Sequence, residues 1–162
     1  SDNKIKELPE SIGNLTSLKK LTLNNNHLTD LPETIENLKS LEFLSLNFNN
    51  FESIPESIRN LTSLKELSLY RNKLQNIPES MADLKTLEIL RLSMNKLSHI
   101  PDFIGELNSL HTIKLDANNL LDLPDSIENL PSLKYLDLRK NNFQTIPKVI
   151  EALEKKDIKL YY

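Results

Sequence analysis

Leucines recur along this chain every 23 residues, and the spacing of apolar positions changes within each interval. The clearest copy runs from Leu64 to Thr86, LKELSLYRNKLQNIPESMADLKT. Its first part alternates apolar and polar residues through Leu67-Ser68-Leu69, the pattern of a short strand with one buried face. Its second part, Pro78 to Leu84, has apolar residues three apart, the pattern of a short helix. Leu18/Leu21/Leu23, Leu41/Leu44/Leu46, Leu64/Leu67/Leu69, Leu87/Leu90/Leu92, Leu110/Ile113/Leu115 and Leu133/Leu136/Leu138 share one register. So do Asn26, Asn49, Asn72, Asn95, Asn118 and Asn141, and the prolines Pro9, Pro32, Pro55, Pro78, Pro101, Pro124 and Pro147, with Pro131 alone off the register. A period of this length marks a stack of like units.

Each unit has a physical reading. Successive strands lie side by side as a parallel sheet, about 4.8 Å apart. The asparagine sits where the chain leaves the strand, and its amide can satisfy backbone groups that the turn would bury unpaired. Proline suits the first turn of a helix, where its missing N–H costs nothing. The acidic residue beside it suits the positive end of the helix dipole. These features predict a short α or 3₁₀ helix on the far side of each coil. About seven inward apolar side chains contribute roughly 10–20 kcal/mol if fully buried. Ordering the backbone costs about 1–2 kcal/mol per residue. A single unit is therefore unstable alone, and stability comes from stacking.

The ends depart from the pattern. Ile5, Leu8 and Pro9 match Leu28, Leu31 and Pro32, so the chain begins in mid-repeat. The expected organisation is one domain over 1–162: a partial first repeat at 1–17, six full repeats from 18, and a degenerate terminal coil at 154–162. Lys156 and Lys159 stand where leucine is expected, with Ile158 and Leu160 one residue early. Asp157 to Tyr161 reads as a last strand in shifted register.

The pattern L-x-x-L-x-L-x-x-N-x-L-x-x-[LI]-P-x-x-[IM]-x-x-L, over about residues 5–153, resembles the leucine-rich repeat family. The 23-residue spacing and the "LP" or "IP" step resemble its short-unit bacterial and intracellular subtypes. The resemblance implies an α/β fold: a curved right-handed solenoid with parallel strands on the concave face and short α or 3₁₀ helices on the convex face. It implies binding of proteins or other macromolecules, and no shared catalytic residues. The absence of cysteine-rich caps weighs against an animal extracellular receptor.

Composition removes several other classes. There is no cysteine, so disulfides, thiol catalysis and cysteine-zinc sites are absent. Gly13 and Gly105 are the only glycines, which excludes a glycine-rich phosphate loop. A net charge of −3 argues against a mainly electrostatic nucleic-acid binder. No run approaches the roughly 18 apolar residues of a membrane span. His27, His99 and His111 fall in three phases of the repeat and do not converge on a metal site. Glu33, Glu56 and Glu79 recur in one phase and read as a solvated row at the helix starts, not as a catalytic pair.

What remains informative is the set of variable residues between the leucines, which point away from the core. Phe43, Phe48, Tyr70, Ile89 and Met94 are apolar or aromatic at positions expected to be exposed. Arg71, Arg91, Lys114, Asp116, Tyr135, Asp137 and Arg139 surround them. Aromatic and arginine residues grouped on one face resemble the anchors of a protein interface. Asparagines on the first strands read as ordinary solvated surface. The function expected is therefore non-enzymatic protein binding through the concave face, with no cofactor, no metal and no nucleic acid, by a monomer or weak oligomer. A second reading makes the chain the recognition module of a larger regulator or enzyme, such as a GTPase-linked signalling protein or a ubiquitin ligase. The compartment stays open: the cytoplasm is slightly favoured, and export after removal of a signal fits as well.

Overall fold

A computed structural model describes residues 3–162. Seven three-residue strands form one parallel sheet in sequential order: β1 Lys20–Thr22, β2 Phe43–Ser45, β3 Glu66–Ser68, β4 Ile89–Arg91, β5 Thr112–Lys114, β6 Tyr135–Asp137 and β7 Lys159–Tyr161. Leu21, Leu44, Leu67, Leu90, Ile113 and Leu136 pair in sequence across it. The middle residue of each strand points inward because the side-chain period of a strand is two. Each pairing from β1 to β6 advances by the repeat period, so the sheet register is the repeat register.

Six 3₁₀ helices run along the opposite side: Glu10–Asn14, Glu33–Asn37, Glu56–Asn60, Glu79–Asp83, Asp102–Glu106 and Asp125–Asn129. Each is closed by bonds three residues apart, as from Leu38 N–H to Ile35 C=O at 3.0 Å. The proline stands one position before the helix, not inside it. Pro32 is extended at φ −64 and ψ 150, and its carbonyl accepts the first helical bond, from Ile35 N–H. That is the N-cap position. An acidic residue occupies the first turn of all six, as the helix dipole favours.

The core is one continuous column, mostly leucine and isoleucine, with Phe51, Met81, Phe103 and Val149 among them. Leu64, Leu67, Leu69, Leu74 and Leu84 are fully buried, as are their counterparts in most other coils. The column opens at the first coil, where Leu18, Leu21 and Leu23 are only partly covered.

The last coil corrects the expected register. Leu160 pairs with Leu136, one residue later than the period requires rather than one early. The extra residue is accommodated in a single α-helical turn, α1 Val149–Leu153, where Glu154 N–H reaches Ile150 C=O at 2.8 Å. The strand itself is shorter than Asp157–Tyr161 and begins at Lys159. No helix among the described residues is long and apolar enough to cross a membrane.

The two glycines have a packing reason. A Cβ on Gly105 would stand 2.3 Å from Ser126 O, and one on Gly13 would stand 2.5 Å from Thr34 O. Both obstacles are backbone atoms of the next helix, which cannot rotate away. Gly105→Ala therefore forces two coils apart and is expected to cost about 1–3 kcal/mol. A thermal melt checks this; an unchanged melting temperature would show that the helices have room to separate freely.

Candidate functional site

The site is built on the turn that ends each strand. The chain leaves the sheet through a left-handed residue in every one of six coils: Asn25, Phe48, Arg71, Met94, Ala117 and Lys140, all with φ between 54 and 59. None is glycine, so each carries a local cost of about 1–2 kcal/mol. The N–H groups of the first five are satisfied by the next coil, as from Phe48 to Tyr70 C=O at 2.9 Å and from Met94 to Asp116 C=O at 2.9 Å. This turn lifts Phe48 and Met94 to 38% and 40% exposure, values that leave a large apolar side chain open to contact. These six positions thus form a turn and do not continue the strand.

The next residue is the repeating asparagine, and it does what its position predicts. Asn72 Oδ1 accepts from Phe51 N–H at 3.1 Å, and its Nδ2 donates to Leu46 O at 3.0 Å and Leu69 O at 3.1 Å. Asn49, Asn95 and Asn118 repeat the arrangement. Each amide joins its own coil to the one before, which fixes the height of the turn above the sheet.

A second ladder lies on the sheet face, where solvated asparagine was expected. Asn24 Oδ1 accepts from Ser45 Oγ at 2.7 Å and from Asn47 N–H at 2.8 Å. Asn47 Oδ1 accepts in turn from Ser68 Oγ at 2.7 Å and Tyr70 N–H at 2.8 Å. Ser45 and Ser68 are buried. These asparagines are structural, and the ladder ends by fixing the backbone of Tyr70.

Around Tyr70 the structure gathers the predicted apolar residues. The Phe48 and Tyr70 rings meet edge-on at 5.2 Å, and Tyr70 Oη donates to Met94 Sδ at 3.0 Å. The Arg71 guanidinium lies 5.4 Å from the centre of the Phe48 ring. Ile89 is half-buried on β4, and Phe43 on β2 is half-covered by Lys20, whose ammonium is 4.5 Å from the ring centre.

Beside this cluster a depression of about 430 Å³ brings together Tyr70, Arg91, Lys114, Asp116, Tyr135, Asp137 and Arg139, with Asn47, Ser68 and Ser93 in its floor. Arg91 is ion-paired to Glu66. Ser93 Oγ donates to Asp116 Oδ1 at 2.5 Å. The Lys114 ammonium lies 5.5 Å from the Tyr135 ring centre. Phe43, Phe48, Arg71, Ile89 and Met94 do not line the depression.

Asp137 departs from the role expected of it. It is only 3% exposed and works beneath the surface. Arg139 grips it in a fork, Nε to Oδ1 at 2.9 Å and Nη2 to Oδ2 at 2.6 Å. Burial pushes the Asp137 carboxyl up, but the hydrogen bonds and charge of Arg139 outweigh it and hold the carboxyl below its ordinary range. The Arg139 guanidinium is raised by the same contact. Burial, then the Asp137 charge, pushes the Tyr135 hydroxyl up. A carboxyl with a lowered folded value contributes stability that is complete above the ordinary aspartate range and vanishes as pH falls through the lowered value. The melting-temperature gap between wild type and Asp137→Asn should therefore be widest near neutrality and close in strong acid. A gap that persists unchanged in strong acid would mean that charge has no part in the fork.

Tyr161 was not visible as a site residue. Its ring lies 5.5 Å from Tyr135 and 5.0 Å from the Arg139 guanidinium. The extra residue in the last coil moves it out of the phase in which it would have been found. The histidines remain apart: His27 and His99 are exposed, and His111 lies 3.8 Å from Glu88. Among the described residues no group of three or more histidine or carboxylate side chains could hold a metal ion.

A stack of parallel three-residue strands, buried leucines, an asparagine ladder and short backing helices defines the leucine-rich repeat solenoid. The comparisons agree: residues 1–100 match a family profile described as "Leucine-rich repeat region", and residues 108–155 match one described as "Leucine rich repeat". The chain belongs to the leucine-rich repeat family. It is similar to a solved leucine-rich repeat protein of Leptospira interrogans, with 42% identity, a TM-score of 0.93 and 99% of this chain covered. It is similar to the ectodomain of the Arabidopsis thaliana membrane receptor kinase GASSHO1/SCHENGEN3, solved in complex with Casparian strip integrity factor 2, at 34% identity, a TM-score of 0.82 and 95% coverage. It is also similar to the leucine-rich repeat domain of the type III effector XopL, at 28% identity, a TM-score of 0.83 and 92% coverage. The chain spans 41%, 19% and 54% of the lengths of those three chains. No curated protein sequence gives a significant match. Domains of this family serve in general as protein-interaction modules.

Proposed function

We propose that this chain is a non-enzymatic binding module that engages a protein partner through the open face of its sheet, with Tyr70 and Met94 at the centre of contact. The observation that carries this reading is the exposed Phe48–Tyr70–Met94 cluster bordering a preformed depression. Other coils place alanine, serine or asparagine at these phases, so the fold has no need of large side chains there. The cluster is also held in place before any partner arrives. Tyr70 is fixed through its backbone by Asn47, through its ring by Phe48 and through its hydroxyl by Met94. Anchors ordered in advance lose little side-chain entropy on binding. Central anchors of this kind typically contribute at least about 2 kcal/mol each, while rim contacts contribute little.

Arg91 belongs to the same surface but is a poor test residue. Its ion pair with Glu66 is partly buried, and truncation would leave that carboxylate unpaired. The cleaner variant is Tyr70→Ala with Met94→Ala. It should keep its melting temperature and lose partner capture in a pull-down, whereas Glu79→Lys on the helix side should keep capture. Capture that survives the double substitution and fails with Glu79→Lys would place the binding face on the other side.

A further inference from the structure

Charge is spread unevenly over this solenoid. The outward positions of the sheet and its turns carry seven cations, Lys20, Arg71, Arg91, Lys114, Arg139, Lys140 and Lys159, against three carboxylates, in a chain whose net charge is −3. The three carboxylates are already engaged: Glu66 with Arg91, Asp137 with Arg139, and Asp116 with Ser93. Three of the other cations rest on rings of neighbouring coils: Lys20 on Phe43, Arg71 on Phe48, and Lys114 on Tyr135. The negative face of the ring attracts the cation electrostatically. The contact orients the cation and leaves its N–H donors open to an anion.

We infer that the occupant of this face is an extended acidic segment of a partner protein, with carboxylates at Arg71 and Lys114 and an apolar side chain against Phe48, Tyr70 and Met94. The inference rests on the reading that the sheet face binds protein, and it adds the chemistry of the partner. The spacing suits a short motif. Arg71 follows β3 and Lys114 lies on β5, two strand spacings across the sheet and three residues apart along the strand direction, roughly 14 Å in all. An extended chain covers that distance in about four residues. Cations among rings also attract single-stranded nucleic acid. Here, however, Glu66 and Asp116 stand between the cations, where a continuous phosphate backbone would meet them. A peptide can set single carboxylates against single cations and avoid those two.

The test is selection from a displayed library of random linear peptides on three purified chains: wild type, Arg71→Glu with Lys114→Glu, and Tyr70→Ala with Met94→Ala. Thermal melts establish that all three are folded. Wild type should enrich peptides that combine Asp or Glu with a nearby apolar or aromatic residue. Those peptides should bind the charge-reversed chain at least about tenfold more weakly, and their affinity for wild type should fall as salt rises. Enrichment of peptides without acidic surplus, or no enrichment on wild type, overturns the inference, as does tighter binding of oligothymidylate than of the selected peptides. Neutral peptides that still depend on Tyr70 and Met94 would overturn the charge assignment and leave sheet-face binding intact. Acidic peptides indifferent to both sets of substitutions would overturn both.

Discussion

Replacing Asn72 with leucine is expected to lower the unfolding free energy by about 1–3 kcal/mol, because three buried backbone groups each lose a bond: the N–H is left unpaired, while the two carbonyls keep a second amide donor from Asn49 and Asn95. Those groups are Phe51 N–H, Leu46 C=O and Leu69 C=O, and they belong to two coils. The substitution therefore weakens the seam between coils as well as one turn. Leucine has similar bulk, so packing does not confound the result. Asn24→Leu gives the contrast. It removes two acceptor contacts in a half-exposed place, to Ser45 Oγ and Asn47 N–H, and is expected to cost about 1–2 kcal/mol. Urea unfolding of the two variants measures both. A larger loss for Asn24→Leu than for Asn72→Leu would mean that the sheet-face ladder, not the turn ladder, carries the stack.

The second large effect concerns register. Removing Leu64 to Thr86 takes out one coil and brings β2 against β4 with every inward residue still in phase. The product should stay folded and cooperative with a lower melting temperature, since each coil contacts only its neighbours. Removing about 12 residues from the same place should unfold the chain, because strand would then stack on helix and leucine on solvent-facing positions. Circular dichroism and thermal melting distinguish the two. Equal spectra and equal melting would contradict a register-locked stack.

What could be read from sequence, and what could not, divides along a physical line. The inward leucines, the ladder asparagines and the prolines each serve a requirement that every coil shares, so repetition exposes them. The left-handed turn is shared too, but six different side chains, from Ala117 to Phe48, bear its cost, and no glycine advertises it. The Asn24–Ser45–Asn47–Ser68 ladder was missed because it depends on pairs of variable positions in adjacent coils. The same holds for Gly105 against Ser126 and for the fork of Arg139 on a buried Asp137. Tyr161 escaped notice because one inserted residue shifts the last strand. The candidate surface was legible as a set of tolerant phases with large residues. Which of them touch, and which lie beneath, needed coordinates.

The claim that the sheet face is the binding face can be tested on the side chains themselves. Phe48, Tyr70, Met94 and Tyr135 all react readily with hydroxyl radicals, and Phe48 and Met94 are substantially exposed. Leu121 and Ile146, at 59% and 62% exposure, lie outside the sheet phases and serve as internal references. Footprinting the chain alone and in complex with a captured partner should show loss of reactivity at Tyr70 and Met94 with Leu121 and Ile146 unchanged. Protection of Leu121 or Ile146 with Tyr70 and Met94 as reactive as before would contradict the account.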